Sequence, residues 1–270
     1  MVLVDWFDAI VKVFPNSHST NKAALVSPTQ GSFSHLKFRQ MTYKNQFIIG
    51  KGIEEIGIKG IYFKIEGLHN TEFDPEFEPI LDAQLNWLLS NMDGDPDYIR
   101  KDQILSGFRN LHERTGASNR KNLAAPENLL KTVSKHRSIP RINLLVDIYN
   151  TISIKYKLAL GAHDLASVEG NIHLKFTSGN EKYVPLGATE PKNVPANHYS
   201  YVDSSDEILC YLDVRQVNKS LVAPETTDCF FVVQGNAETS YRYIEDASSE
   251  LIALTKKFCG GNETILGCVG

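Results

Sequence analysis

The stretch IPRINLLVDIYNTISIKYKLALGAHDLASVEGNIHLKF, residues 139–176, joins two apolar runs to a Gly-Ala-His-Asp step. The first run supports two interpretations. Its β-branched residues favour a strand, because two heavy atoms on Cβ restrict a side chain in a helix. Its apolar side chains nevertheless recur three and four positions apart, which favours a helix. The residues with this spacing are Leu145, Ile148, Ile152 and Tyr156.

Polar residues beside these apolar runs are the first candidates for chemistry. His163 and Asp164 follow the second run and form either a catalytic pair or a turn between two elements. Asp147 lies inside the first run, in LLVDIYN. A buried aspartate more often caps a helix or accepts backbone hydrogen bonds than it serves as a catalytic base. The local pattern leaves both alternatives open.

Helical patterns dominate the sequence before this stretch. The segment FEPILDAQLNWLLSN has helical spacing, and APENLLKTVSKHR places Pro126 at a helix start. Between them, Asp95 and Pro96 predict the N-cap and first residue of a helix that ends at Gly116. Further upstream, IEEIGIKGIYFKIEGL alternates and predicts a strand pair or a bent strand.

Strand patterns dominate the sequence after this stretch. IHLKFT and KYVPLG flank Ser178-Gly179-Asn180 and predict a β-hairpin. HYSYVD, ILCYLDV and DCFFVVQG predict further strands. A closing helix is predicted over YRYIEDASSELIALTKKF, ending at Gly260-Gly261. Helices first, strands later and a last helix indicate an α+β fold.

The composition is that of a globular protein. Of its 270 residues, 42% are hydrophobic and 22% are charged, close to the averages of folded domains. No apolar run approaches the length of a bilayer span. The N-terminal MVLVDWFDAIVKVF carries Asp5, Asp8 and Lys12 inside its apolar pattern, where a signal peptide has an uncharged apolar core. The four cysteines lack CxxC spacing and the eight histidines lack i, i+4 pairs. We therefore expect no metal site, no disulfides and a cytoplasmic location.

Charge is unevenly distributed, although the net charge is only −4. The charged side chains of residues 66–97 are all acidic, and those of residues 100–141 are mostly basic. A local basic segment can bind phosphates by releasing counterions. It is also typical of a solvated helical face, which is the interpretation that charge alone favours. The common catalytic motifs GxGxxG, GxSxG and HExxH do not occur in suitable contexts.

Two short motifs in the opening stretch point to a family. The first is a Val-Asp-x-x-Asn core, and the second is a Gly-Ala-x-Asp-Leu step followed by a glycine before a strand. Their residues are Val146, Asp147, Asn150, Gly161, Ala162, Asp164, Leu165 and Gly170. The stretch resembles the editing domain of the phenylalanyl-tRNA synthetase beta subunit, formed by that chain's third and fourth modules, and its free-standing relatives more closely. Flanking segments follow the same order over roughly residues 52–260.

The resemblance implies an α+β fold, with N-terminal helices and a strongly curved, mostly antiparallel sheet. It implies a helix over RINLLVDIYN and a pocket where the two modules meet. We expect an N-terminal extension packing on the body over 1–51, the tRNA-binding and editing-like domain over 52–262, and a C-terminal tail over 263–270. The chain lacks the synthetase active-site motifs, so we do not expect it to aminoacylate tRNA.

The resemblance also implies candidate site residues, with two departures. The family's catalytic histidine falls on Gly161, and its later glutamate falls on Val232 or a neighbour. The remaining catalytic candidates are His163, Asp164 and Asp147. His163 stands where the family has an aromatic residue, and Asp164 suits the anchor of a turn. Candidates for holding the substrate or tRNA are Gly161, Asn150, Arg215, Asn218, Lys219, Thr226, Arg114, Arg120 and Lys121.

Two main hypotheses follow from these residues. The first is a deacylase that hydrolyses the ester of mischarged aminoacyl-tRNA in trans. The second is a non-catalytic tRNA- or RNA-binding module of the same fold. A pocket for a free amino acid or another small metabolite is a third possibility. In every case tRNA or a small molecule is the expected ligand, and neither a cofactor, a metal nor a membrane is expected. A His163 side chain directed into a polar cavity favours the first hypothesis, and one packed in the core favours the second.

Overall fold

The computed structural model describes residues 45–270, so the expected extension over 1–51 lies almost wholly outside the described residues. The helices in this part are α1 Glu78–Gly94, α2 Gln103–Arg114, α3 Ala125–His136, α4 Leu144–Tyr156 and α5 Tyr241–Cys259. The strands are β1 Phe47–Ile49, β2 Lys59–Leu68, β3 Ala159–Asp164, β4 Ile172–Phe176, β5 Tyr199–Asp203, β6 Ile208–Tyr211, β7 Arg215–Gln216, β8 Asp228–Gly235 and β9 Gly260–Val269.

The strands form two sheets. One has the order β1-β4-β5-β6-β7, and the other has the order β3-β8-β2-β9. All strand pairs are antiparallel except β1 with β4. The expected α+β class and the mostly antiparallel pairing are therefore confirmed. The single strongly curved sheet is corrected to two separate sheets.

The four-stranded sheet lies between two hydrophobic cores. Helices α1, α4 and α5 pack on one face of it, where Phe63 stacks on Phe231 with ring centroids 4.9 Å apart. The opposite face meets the five-stranded sheet, where Tyr62 of β2 lies 6.0 Å from Tyr201 of β5. Alternating residues of one strand thus face different cores, as the pleat of a strand requires.

Local signals explain most of the helices. The spacing of RINLLVDIYN gives helix α4, as the resemblance implies, and the Asn143 side chain caps it by accepting from Val146 N at 3.1 Å. Helix α5 ends at Gly260, as predicted. The predicted cap at Asp95 is wrong: that residue follows the end of α1. Helix α2 begins later because the Asp102 carboxylate accepts from Leu105 N at 3.0 Å.

The structure corrects two of the remaining predictions and chooses between the alternatives in a third. β4 pairs with β5 rather than with KYVPLG, because the Glu181 carboxylate binds the amides of Ser178 and Gly179 and closes a local loop. Of the two alternatives for the upstream segment, the strand pair is excluded, because a single strand, β2, forms there with a register irregularity at Tyr62/Phe63 and follows a 3-10 turn at Glu54–Ile56. The tail expected over 263–270 mostly belongs to β9, which pairs along β2.

Gly170 needs the conformation that only glycine adopts easily. Its φ is +66°, in the left-handed region. A Cβ at this position would lie 2.6 Å from Ser204 Oγ, which accepts a hydrogen bond from Asn171 N at 2.8 Å. The glycine of the family pattern therefore lets the chain turn into β4.

Candidate functional site

The register of β3 and β8 brings together Gly161 and Val232, the positions onto which the resemblance puts the family's histidine and, there or at a neighbour, its glutamate. Gly161 pairs with Val232, and His163 pairs with Phe230. Directly opposite residues of an antiparallel pair lie on the same face. Val232 and Phe230 belong to the core between the two sheets, so this face of β3 turns toward the five-stranded sheet.

Gln216 of the other sheet covers Gly161. A Cβ on Gly161 would lie 2.9 Å from Gln216 Nε2, so the amide occupies the space that a side chain would need. The same nitrogen donates to the Ala162 carbonyl oxygen at 3.1 Å. β3 and β7 are edge strands of their sheets, and we call this contact the β3/β7 seam. No sequence signal pointed to Gln216, because the contact joins residues 54 positions apart.

His163 has the environment of a core residue. It is 1% exposed, its ring lies 6.3 Å from that of Phe230, and its Nδ1 lies 2.9 Å from Ser220 Oγ. Burial lowers the pKa of its imidazole to about 4. A neutral, enclosed imidazole is poorly placed to orient a solvent water, so this environment argues against the catalytic assignment.

Asp164 anchors the turn that ends β3. One carboxylate oxygen accepts from Ala166 N at 2.9 Å, and the other accepts from Thr226 Oγ1 at 2.7 Å. Thr226 Oγ1 in turn accepts from Ala223 N at 3.0 Å. Both proposed site residues, Asp164 and Thr226, are therefore engaged in fixing loops.

Asp147 serves the start of α4. Its carboxylate accepts from Arg141 Nε at 2.7 Å and from Ile142 N at 3.1 Å. Burial raises the pKa of Asp147, although the Arg141 charge and these hydrogen bonds oppose the rise. Arg141 also forms a two-pronged ion pair with Glu78. Among residues 45–270, no hydrogen bond links Asp147 to His163 or Asp164.

Three further candidates are placed differently. Asn218 holds a loop, accepting from Gly187 N at 3.1 Å and donating to Ala188 O at 2.8 Å. Lys219 forms ion pairs with Asp203 at 2.8 Å and Glu207 at 3.0 Å. Asn150 is half-buried on α4. The side-chain polar groups of Asn218 and Lys219 thus bind other groups of the protein.

The basic segment is largely neutralised by carboxylates. Six of its cations form ion pairs, four of them with the acidic stretch over 66–97. The six are Arg100 and Lys101 with Asp97, Arg109 and Lys131 with Glu127, Arg137 with Asp93, and Arg141 with Glu78. Most of the basic segment is therefore a solvated, ion-paired surface. This agrees with the interpretation that charge alone favours, a solvated helical face.

Four exposed candidates have no carboxylate partner in the part of the chain that the structure describes. Arg114, Arg120 and Lys121 lie at the end of α2 and in the α2–α3 loop. Arg114 donates to the Ile56 carbonyl oxygen at 3.0 Å, which leaves its charge unpaired. Arg215 lies on β7, paired with Tyr211 on the face opposite Gln216. We call these four residues the unpaired cations.

A buried network, which sequence analysis missed, joins the segments that carry the unpaired cations. His112 Nε2 lies 2.8 Å from Asp213 Oδ1, and the Tyr199 hydroxyl donates to Asp213 Oδ2 at 2.7 Å. Ala125 N donates to the Asp213 carbonyl oxygen at 2.9 Å. Burial disfavours the charged imidazole, but the Asp213 charge and hydrogen bond outweigh it and raise the pKa of His112. Both ends of the α2–α3 loop are thereby fixed to the β6–β7 turn, two residues before Arg215.

Residues 45–270 contain neither a cluster of metal ligands nor a membrane-spanning helix. Metal ions need several converging ligands, and residues 45–270 contain no group of three His, Cys, Asp or Glu side chains arranged to hold one. Within the same range, no helix is both long and apolar enough to span a bilayer.

Burial raises the pKa of the Cys210 thiol to about 12, which keeps it protonated at neutral pH.

Comparison with known proteins gives one family. The model of the B3/4 domain matches residues 109–258, more than half of the chain. A solved N-terminal fragment of the phenylalanyl-tRNA synthetase beta subunit from Pyrococcus horikoshii is similar at 13% identity, with a TM-score of 0.45. The alignment covers 82% of this chain and 51% of that one, so this chain spans about half of the fragment's length. No curated protein matches the sequence. The resemblance seen in residues 139–176 is confirmed, and the chain belongs to the B3/4 domain family.

Proposed function

We propose that this B3/4 protein binds tRNA in the cytoplasm, with the unpaired cations contacting the phosphate backbone. The observation that carries the proposal is the selective pairing of the basic segment. Six cations of the segment are bound to carboxylates, while Arg114, Arg120, Lys121 and Lys135 have no carboxylate partner among residues 45–270. The first three and Arg215 of β7 lie on segments that the His112–Asp213 contact holds together. The family resemblance, in which the domain receives a tRNA end, supports the same ligand.

The physical consequence is a limited number of phosphate contacts. Each contact releases counterions and contributes about −0.7 to −0.9 to the slope of log K against log salt concentration. If all four unpaired cations contact phosphates, the slope is roughly −3 to −4. Such a protein binds RNA firmly only at low salt, which agrees with its net charge of −4.

The test is a binding titration of uncharged tRNA at several salt concentrations. The double variant Arg120→Ala/Lys121→Ala is expected to weaken binding and to reduce the slope by roughly 1.4 to 1.8. The matched control is Arg100→Ala/Lys101→Ala, which also removes two exposed charges, but from an ion-paired site. Equal losses in the two variants, or no tRNA binding at low salt, would refute the proposal.

Hydrolysis of mischarged aminoacyl-tRNA in trans is a second candidate. The observation that favours it is the half-exposed Gly161, which stands at the family's histidine position with an amide donor, Gln216 Nε2, directly over it. Ester hydrolysis needs an oriented water and hydrogen-bond donors for the oxyanion. A panel of mischarged tRNAs incubated with micromolar protein decides the matter: survival of every ester leaves binding as the function. Failure of both assays would favour a small metabolite as the ligand.

A further inference from the structure

Strand β9 is an open edge of the four-stranded sheet. It pairs with β2 along one side, and among residues 45–270 no strand pairs with its other side. In an antiparallel pair every second residue directs its N–H and C=O away from the partner, so these groups of β9 are available to a further strand. Edge strands are usually kept short or covered, because they can pair with another chain. β9 is ten residues long, and residues 262–265 in its middle are exposed.

A groove lies between this open edge and helix α5, and we call it the α5/β9 groove. Its volume is about 340 Å³, which is within the usual range for ligand pockets. Helix α5 lines it with side chains that recur at helical spacing, among them Tyr241, Glu245, Ser248 and Ile252.

An irregularity in β9 turns two of its side chains into the groove. Cys268 pairs with Ile61 and Ile265 pairs with Phe63, so three steps on β9 match two steps on β2. Directly opposite residues share a face of the sheet, and Ile61 and Phe63 belong to the core on the helix side. Ile265 and Cys268 therefore both face α5, which a regular strand would not allow. Ile265 stays 56% exposed and leaves an apolar surface beside the open edge.

The rim of the groove carries an unbalanced negative charge. Arg242 pairs with Asp246 at 3.1 Å, whereas the Glu245 carboxylate has no cationic partner in the described part of the chain. Complementary charge steers binding and suppresses wrong partners, so a segment that carries Lys or Arg suits this rim. A second copy of the chain suits it poorly, because a two-fold interface would bring two rims of the same sign together.

We propose that the α5/β9 groove binds an extended segment of a partner protein, which adds to the edge of β9 as a further strand. Alternate side chains of a strand point to the same face, so an apolar side chain enters the groove over Ile265 and a Lys or Arg two positions away reaches Glu245. In this mode of recognition main-chain hydrogen bonds supply the affinity, and the groove selects the side chains. β9 and β3 are opposite edges of the sheet, and the inference does not depend on tRNA binding.

The experiment selects binders to the full chain from a phage-displayed library of random dodecapeptides. Enriched peptides are expected to carry a large apolar residue two positions from a Lys or Arg, and synthetic copies are then titrated. Ile265→Thr removes at least one methylene from the contact and is expected to weaken binding roughly fourfold or more. The matched control is Ile142→Thr, at another exposed isoleucine that does not line the groove; it is expected to bind as the wild type does.

Two further comparisons test how the peptide is held. Glu245→Gln is expected to weaken binding of a Lys or Arg peptide roughly 1.4- to 5-fold, and to leave binding of the same peptide with norleucine at that position unchanged. Methylation of single peptide nitrogens is expected to weaken binding at every second position only, because alternate N–H groups of an added strand face β9.

Several results would overturn the proposal. They are the absence of enriched peptides, enrichment of acidic peptides, equal losses in Ile265→Thr and Ile142→Thr, and losses on methylation at successive positions. Sedimentation of the chain without peptide tests the other occupant. A monomer is expected, and a dimer that Ile265→Thr dissociates would show that β9 pairs with a second copy instead.

Discussion

Replacing Asp213 by asparagine removes the charge at the centre of the buried network while keeping the shape of the side chain. Asp213 is buried and accepts from two side chains, with His112 Nε2 at 2.8 Å and the Tyr199 hydroxyl at 2.7 Å. Its carboxylate is also what raises the pKa of His112 against the effect of burial. The substitution therefore leaves His112 in an apolar site without its counter-ion.

The expected loss of stability is large for a single atom change. Removing one partner of a buried ion pair typically costs about 3–5 kcal/mol, because the other partner is left uncompensated. For a protein body of this size, 1 kcal/mol corresponds to about 2–4 °C in Tm, so we expect Tm to fall by roughly 6–20 °C. Tyr199→Phe removes one hydrogen bond to the same carboxylate and is expected to cost less, about 1.5–3 kcal/mol.

The sign of the pH dependence follows from the raised pKa of His112. A histidine with a raised folded pKa contributes stability that is complete below its unfolded pKa of about 6.5 and is lost as the pH rises through the folded value. The penalty of Asp213→Asn should therefore be larger at pH 6 than at pH 9. Urea unfolding of the full chain at both pH values, followed by circular dichroism, measures this difference.

Two results would refute the reasoning. One is a penalty below about 1 kcal/mol at pH 6, which would mean that the pair contributes no more than an exposed ion pair. The other is an equal penalty at pH 6 and pH 9, which would mean that His112 is neutral throughout. If the penalty is as expected, Asp213→Asn should also weaken tRNA binding at a temperature where the variant is folded, because the α2 end of the α2–α3 loop loses its charged contact with Asp213.

Three further predictions concern single positions. His163→Phe keeps the stacking on Phe230 and should lower neither tRNA binding nor any deacylation activity. Because the folded pKa of His163 is lowered to about 4, the wild type loses folding stability as the pH falls from about 6.5 toward 4. The variant has no imidazole at this position and should lose less stability over this pH range in acid unfolding curves. Gly170→Ala should cost about 1–3 kcal/mol in urea unfolding, because a residue with a Cβ is strained at φ +66° and meets Ser204; a cost within error of zero would show that the turn relaxes freely. Lys219→Met should destabilise the protein without changing the salt slope of tRNA binding, since its charge is spent on Asp203 and Glu207; a reduced slope would place Lys219 among the phosphate contacts.

Sequence alone predicted the elements whose causes are local. Helix α4 follows from its apolar spacing and its Asn143 cap, and α5 ends where Gly260 stops it. The hairpin after β4 was wrong because a single side chain, Glu181, binds the amides of its own loop in place of a cross-strand ladder. The cap at Asp95 was wrong because Asp102 makes the competing cap seven residues later. A local sequence pattern is often compatible with more than one cap, turn or strand pairing, and tertiary packing determines which of them forms.

Most of the candidate site was beyond prediction because its contacts join distant segments. The acidic and basic stretches looked like separate surfaces, yet Arg137 pairs with Asp93 across 44 positions and Arg141 pairs with Glu78 across 63. His112 and Asp213, which are 101 positions apart, carry no motif. What the sequence did supply was the family, because the short motifs around α4 and β3 are contiguous in the chain.

The seam gives a physical link between the two departures from the family pattern. Gly161 and Val232 are cross-strand neighbours, and Gln216 Nε2 lies 2.9 Å from the point where a Cβ at position 161 would lie. A histidine cannot be restored at Gly161 without displacing Gln216, and displacing Gln216 breaks its bond to Ala162. The glycine and the glutamine therefore form one arrangement in this chain, in which an amide from the five-stranded sheet packs against Gly161 and binds the backbone of β3. A side-chain amide does not titrate near neutral pH, but it donates and accepts hydrogen bonds, so this arrangement is better suited to hydrogen bonding than to acid–base chemistry.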